Sequence, residues 1–261
     1  MNDNTPLNED QLVWGIHPVF ELLAARPRSI HEIHIQKGKA SRKLQDIIDL
    51  ARKEQVKVKF TAQFRISGSR QMNHQGVIAR IMPFETLNEE SFLALLAQSK
   101  TPFVLALDSI QDPHNLGAII RSASAAGVTG LVVPKDRSAP LSGTVAKISA
   151  GALTHLPVCQ STNFVRMLQK LKEQGIWVYG TIKEGGVSIY QTDFSGPLCL
   201  VIGGEEKGIR PLVQEQCDFN VTIPMLRELD SLNASVAAGI IMFEIVRQKS
   251  SGPAGMCLPS F

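Results

Sequence analysis

No apolar stretch in this 261-residue chain approaches the roughly 18 residues that a membrane helix needs, so no membrane span is expected. Cysteine is scarce. Cys159, Cys199, Cys217 and Cys257 show neither metal-ligand pairing nor a disulfide pattern, which points to reduced thiols in a cytoplasmic protein. The opening stretch Met1–Asp10 is polar and acidic, unlike a secretory leader. A Gly-x-Gly-x-x-Gly fingerprint is missing after the first strand of the α/β region, which argues against a nicotinamide-dependent oxidoreductase. Internal repeats and low-complexity tracts are absent too. What remains is an ordinary globular composition, 44% hydrophobic and 20% charged.

Charge is unevenly placed. The chain carries +3 overall, yet residues 26–80 hold 13 Lys/Arg against 4 Asp/Glu, or +9, leaving −6 for the rest. That asymmetry suggests a polyanion-binding module joined to a more acidic domain. Its competitor is a solvated basic helix face, but the excess persists through Lys57, Lys59, Arg65, Arg70 and Arg80.

Apolar spacing predicts helices at Trp14–Ala25 and Lys43–Ala51, with strands at Glu32–Gln36, Val56–Phe60 and Gln75–Ile81. Residues 11–83 therefore read as a small α/β module. Residues 84–101, with a short helix at Glu89–Gln98, read as a linker. Beyond it, strands are expected at Phe103–Asp108, Gly130–Val133, Ile176–Thr181, Leu198–Ile202 and Val221–Ile223. Helices are expected at His114–Ala126, Ser142–Leu153, Asn163–Glu173 and Leu232–Lys249. This alternation predicts a parallel-sheet α/β domain over 102–249. Residues 250–261 read as a frayed tail.

Three polar constellations follow strand-like runs. Asn115 and Arg121 follow Phe103–Asp108, and Asp112-Pro113 reads as a helix start. Gly203-Gly-Glu-Glu-Lys-Gly208 follows Leu198–Ile202, its glycines permitting a tight turn with amides facing a ligand. Ser231-Leu-Asn-Ala-Ser235 follows Val221-Thr-Ile-Pro224, with Ser231 read as a helix N-cap. Each alone has a plain reading: a solvated arginine, a surface turn, a cap. Together they fit ligand sites in open α/β sheets, which gather outside the carboxyl ends of strands.

In order and spacing, these motifs resemble the three signatures of the SpoU (TrmH-type) branch of SPOUT RNA methyltransferases. Val13-Trp-Gly-Ile-His-Pro-Val-Phe-Glu21 and His74-Gln-Gly-Val-Ile-Ala79 resemble that family's L30e-like substrate-binding domain. The subgroup it most resembles methylates a guanosine 2′-oxygen in 23S rRNA. The resemblance implies a deep trefoil knot in a parallel sheet, S-adenosylmethionine as cofactor, RNA as substrate and a homodimer. It further implies cofactor contacts at Gly203, Ile223 and Leu232, and catalytic roles for Asn115, Arg121, Glu205, Ser231 and Asn233. No metal is implied. Glu206 departs from the family, which commonly has glycine there. A guanidinium stays protonated in proteins, so Arg121 is expected to act as an electrostatic clamp and not as a base. Two other readings stay open: ribose methylation of tRNA or of another rRNA site, and a non-catalytic RNA-binding or ribosome-assembly protein on the same fold.

Overall fold

Gly15 decides how the chain begins. Its φ of +95° lies in the left-handed region that favours glycine, so the backbone turns sharply there. In a computed structural model of the protein, which describes residues 7–8, 12–38, 41–64, 66–67, 73–82, 84–226 and 231–251, Trp14 ends a strand and the helix starts only at Ile16. The expected helix from Trp14 is thus shortened. Ile16 N donates to Gln75 Oε1 at 3.0 Å, which pins the turn.

The first elements are β1 (Leu7–Asn8), β2 (Leu12–Trp14), α1 (Ile16–Ala25), β3 (Ile30–Gln36), α2 (Arg42–Lys53), β4 (Val58–Thr61), β5 (Ile66–Ser67) and β6 (Val77–Ile81). There follow α3 (Glu89–Leu96), β7 (Phe103–Asp108), α4 (Pro113–Ala125), β8 (Gly130–Pro134), α5 (Gly143–Ile148), β9 (Val158–Ser161) and α6 (Phe164–Glu173). The chain continues through β10 (Trp177–Thr181), β11 (Val187–Ser188), β12 (Leu198–Gly203), α7 (Pro211–Gln214), β13 (Phe219–Thr222) and α8 (Ala234–Ser251). Packing divides these into two units, Met1–Phe84 with Pro140–Thr154, and Glu85–Ala139 with His155–Phe261. Arg65, Arg70, Cys257 and the expected frayed tail beyond Ser251 lie outside the described residues.

The first unit holds a mixed sheet in the order β2-β6-β3-β4, where β6 runs antiparallel to both β2 and β3. Helices α1 and α2 bury Val19, Leu23, Ile47 and Ala51 with Ile33, Val77 and Ala79 of the sheet. Helix α5 belongs to this unit, although its sequence position is within the C-terminal half. Gly143 comes so close to β2 that a Cβ would sit 1.7 Å from Leu12 O, and Lys147 Nζ lies 5.2 Å from the Trp14 ring centroid. One acid is buried in the sheet: Glu32, 3% exposed. It accepts from His34 Nε2 at 2.9 Å and pairs with Lys59 Nζ at 2.8 Å. Burial pushes this carboxyl up, but the hydrogen bonds and charges of Lys59 and His34 outweigh it and hold the pKa at about 2. Glu32 thus occupies His34 structurally.

The second unit is built on seven parallel strands in the order β11-β13-β10-β12-β7-β8-β9. Strands β7 and β8 are buried along their whole length, as strands covered on both faces must be, and read as continuous apolar runs. On one face α6 packs Met167, Leu168 and Leu171 against Val104, Val132, Val178 and Val201, with Phe92 and Leu96 of α3 beside them. Helix α8 packs against α4 and β12. No helix among the described residues is long and apolar enough to cross a membrane. Strands β9 and β11 and helix α7 were not expected. Each has only four residues or fewer, too short for a periodic pattern.

Candidate active site

Helix α4 starts at the carboxyl end of β7. Asp112 caps it, Oδ1 accepting from His114 N at 2.9 Å, with Pro113 in the first turn. The face Leu116, Ile119, Ile120 and Ala123 is fully buried, which orients the helix. Asn115, one residue before that face, is 9% exposed. Arg121 is exposed, on the rim of the helix.

The neighbouring strand β12 delivers the second constellation, since Gly203 pairs in register with Asp108. The loop then folds back on itself. Gly208, at φ +63°, donates its N–H to Gly204 O at 2.9 Å. A Cβ on Gly203 would lie 2.1 Å from Gly208 C, and one on Gly204 would lie 2.6 Å from Ser109 O. Both glycines are required by close backbone approach. Glu206 is exposed and outside the left-handed region, so the loop takes this shape without a glycine there.

The third constellation contains a correction. Helix α8 begins at Ala234, so its cap is Asn233 and not Ser231. Asn233 Oδ1 accepts from Ser235 N at 2.9 Å, from Ser235 Oγ at 2.6 Å and from Val236 N at 3.4 Å. This leaves the amide Nδ2 pointing away from the helix, where it donates to Asn115 Oδ1 at 3.0 Å. Asn115 Nδ2 in turn donates to Glu205 Oε1 at 2.5 Å. Residues 118 and 90 positions apart in sequence are thereby joined in one line, Ser235 to Asn233 to Asn115 to Glu205. The line is self-consistent: each amide has its oxygen toward a donor and its nitrogen toward an acceptor. Hydrogen bonds to a charged group are worth about 1.5–3 kcal/mol, so the Asn115–Glu205 link is the strong one.

Beside this line lies a cavity of about 540 Å³, walled by Gly203, Glu205, Ile223, Ser231, Leu232 and Ala237 among others. Its volume falls within the range of about 300–1,000 Å³ usual for small-molecule sites. Gly203, Ile223 and Leu232 thus share one wall system, joined by Glu205 and Ser231. Asn115 and Asn233 meet it through Glu205, and Arg121 is outside the lining.

Two features were not singled out from sequence. Ser235 was visible as a hydroxyl four residues after Ser231, the expected cap. Asp108, 0% exposed, was visible as an acid ending an all-apolar strand, but its partner Arg210 lies 102 residues away. No cluster of three or more His, Cys, Asp or Glu that could hold a metal exists among the described residues.

Comparison with known proteins agrees with this geometry. Residues 102–243 match the SpoU rRNA Methylase family, and residues 12–87 match a family described as RNA 2′-O ribose methyltransferase substrate binding. The chain is 41% identical over 242 residues to the 23S rRNA (guanosine-2′-O-)-methyltransferase RlmB of Photorhabdus laumondii, covering 92% of this chain and 99% of that protein. The RlmB of Escherichia coli K12 is also 41% identical, over 241 residues, with 92% and 99% covered. Among solved structures, the SpoU methyltransferase AviRb from Streptomyces viridochromogenes in complex with AdoMet superposes with a TM-score of 0.76 at 26% identity, covering 92% of this chain and 91% of that one.

Proposed function

The chain belongs to the SpoU rRNA Methylase family, and from that premise we propose that it transfers a methyl group from S-adenosylmethionine to the ribose 2′-oxygen of a guanosine in 23S rRNA. The observation that carries this reading is the hydrogen-bonded line from Asn233 through Asn115 to Glu205 at the edge of the cavity.

The cavity fits the cofactor. Its glycine wall exposes backbone to a ligand, and Gly203, Ile223 and Leu232 would hold S-adenosylmethionine largely through backbone groups. When bound, the cofactor supplies an electrophilic methyl on a positively charged sulfur. The chain's own residues have three tasks. Asn115 holds Glu205 by Oε1, so that Oε2 accepts the hydrogen of the ribose 2′-hydroxyl. That hydrogen becomes acidic as its oxygen gains a bond to carbon, so a carboxylate, though a weak base, suffices to take the proton. Arg121, permanently charged, clamps the substrate phosphate and the negative charge developing on the oxygen. Asn233 sets the entry of α8, and Ser231 just before it lines the far wall. Because opposite charges meet and cancel in this reaction, a site that excludes water speeds it.

RNA is held by the basic first unit, whose exposed Arg52, Lys53 and Lys57 offer phosphate contacts. The enzyme works as a homodimer in the cytoplasm. Support for the dimer comes from α8, where Val236 and Phe243, two turns apart, are each 50% exposed. The C-terminal part forms the trefoil knot. Support for it comes from the strand order, with β12 between β10 and β7, and from Gln248 of α8 bonding Thr192 O and Phe194 N in the loop between β11 and β12.

The test is to incubate the protein with labelled S-adenosylmethionine and total RNA from cells lacking it, 23S rRNA and tRNA included, then map ribose methylation. One modified guanosine is expected. Modification of tRNA instead, or none despite cofactor binding, would overturn the reading in favour of the other two.

A further inference from the structure

One buried acid has no part in the mechanism above. Asp108 ends the interior strand β7, is 0% exposed, and lies in register with Gly203, where the cavity loop begins. Its Oδ2 accepts from the backbone N–H of Arg210 at 2.8 Å, two residues after that loop closes. Its Oδ1 accepts from Arg210 Nε at 2.7 Å, and from Ser109 Oγ at 3.3 Å. A single carboxylate therefore grips the far end of the Gly203–Gly208 turn while its own strand is paired with the near end.

The pair is not arranged for stability alone. Arg210 Nη2 lies 2.7 Å from the same Oδ1, an ion-pair contact too poorly aligned to be a hydrogen bond, and this nitrogen is buried without an acceptor. Asp108 is wholly buried while the Arg210 side chain is 32% exposed. A buried carboxylate offsets its desolvation only with good geometry and full hydrogen bonding, so an apolar pair would serve a purely structural role as well. The local backbone points the same way. Ser109, the residue after Asp108, sits at φ +66°, which costs energy for any residue but glycine, and its carbonyl is the atom a Cβ on Gly204 would meet at 2.6 Å. Strain, close approach and a buried charge all converge on one six-residue loop. Arg210 is further held with Cζ 5.9 Å from the Phe164 ring centroid, which restricts the guanidinium to this side.

We propose that the Asp108–Arg210 pair is a positioning device that sets the shape of the Gly203–Gly208 loop for the methyl donor, so that affinity for S-adenosylmethionine depends on it. This rests on the cofactor reading above. Neither residue takes part in the reaction. Asp108 acts through the loop, and Arg210 is its anchor. The consequence is a specific split: loss of the pair weakens cofactor binding far more than it slows transfer at saturating cofactor, because Glu205, although within this loop, is also held by Asn115 from α4.

The test uses the full-length protein and the variants Asp108→Asn, Arg210→Met, Arg210→Lys and the combined Asp108→Asn/Arg210→Met. Three quantities are measured: Kd for S-adenosylmethionine by calorimetry, Tm, and kcat at saturating cofactor. Asp108→Asn and Arg210→Met are expected to weaken Kd by about tenfold or more, with kcat within about threefold of the unsubstituted protein. Arg210→Lys, which retains the positive charge, is expected to weaken it less. The combined variant leaves no buried charge unpaired, so it should regain Tm but not affinity. Several results would overturn the proposal: Kd unchanged across the soluble variants, kcat falling while Kd holds, affinity returning with Tm in the combined variant, or insolubility of even Arg210→Lys. An unsubstituted protein that fails to bind S-adenosylmethionine would sink the cofactor reading itself, and that is seen before any substitution is made.

Discussion

Arg121 and Glu32 show how differently two charged side chains are used in this protein. Arg121 stands exposed on α4, and in the proposed mechanism it meets charge that arrives with the substrate. Arg121→Lys keeps one positive charge but loses the planar fork that grips a phosphate. Methyl transfer should fall by about a hundredfold or more, with cofactor Kd unchanged in calorimetry. Near-normal turnover would remove Arg121 from the site. Glu32 meets its charges at home. Its folded pKa is about 2, below the ordinary 4.5, so its ionisation favours the folded state above the ordinary value. That contribution, on the order of 3 kcal/mol, is lost as pH falls from about 4.5 toward 2. Glu32→Gln should therefore lower Tm at pH 7 and flatten its decline over that acid window. A parallel decline in both proteins would show that other carboxylates set the acid limit.

Helices and strands differed in how openly the chain declares them. The buried strands β7 and β12 and the apolar face of α4 could be read directly, because full burial leaves an unbroken run or a strict helical spacing. The start of α8 could not. Ser231 and Asn233 are equally good caps by residue type, and the choice falls on Asn233, whose Nδ2 meets Asn115, 118 residues away. Trp14 belongs to a strand and not to the expected helix for a similar reason: its three-residue strand exists through pairing with β6, which no local pattern records. Helix α8 also carries an outward face that burial within one chain does not explain. Phe243→Glu places a charge on that face, and the protein is expected to sediment as a monomer with its far-UV circular dichroism intact. A variant that stays dimeric would move the interface elsewhere.

On the proposed reading, the first unit holds RNA and the second transfers the methyl group. The basic excess in residues 26–80 predicted the first, and the matches over 12–87 and 102–243 agree with the division. What the chain hid was the membership of Pro140–Thr154 in the first unit, since it depends on Gly143 meeting Leu12 O. If phosphate neutralisation dominates RNA binding, replacing Arg52, Lys53 and Lys57 together with Ala should weaken binding at low salt. It should also reduce the slope of log K against log salt by about 0.7–0.9 for each phosphate no longer neutralised. An unaltered slope would place the RNA on another surface. The convergence of distant strand ends on one site is tested most directly by Asn233→Asp, read by single-turnover methyl transfer at saturating cofactor. Aspartate keeps the cap acceptor and so spares Tm, but it cannot donate to Asn115 and adds a negative charge beside it. The rate should drop by about a hundredfold with the helix intact; a rate equal to that of the unsubstituted protein would mean that the Asn233–Asn115–Glu205 line is not part of the site.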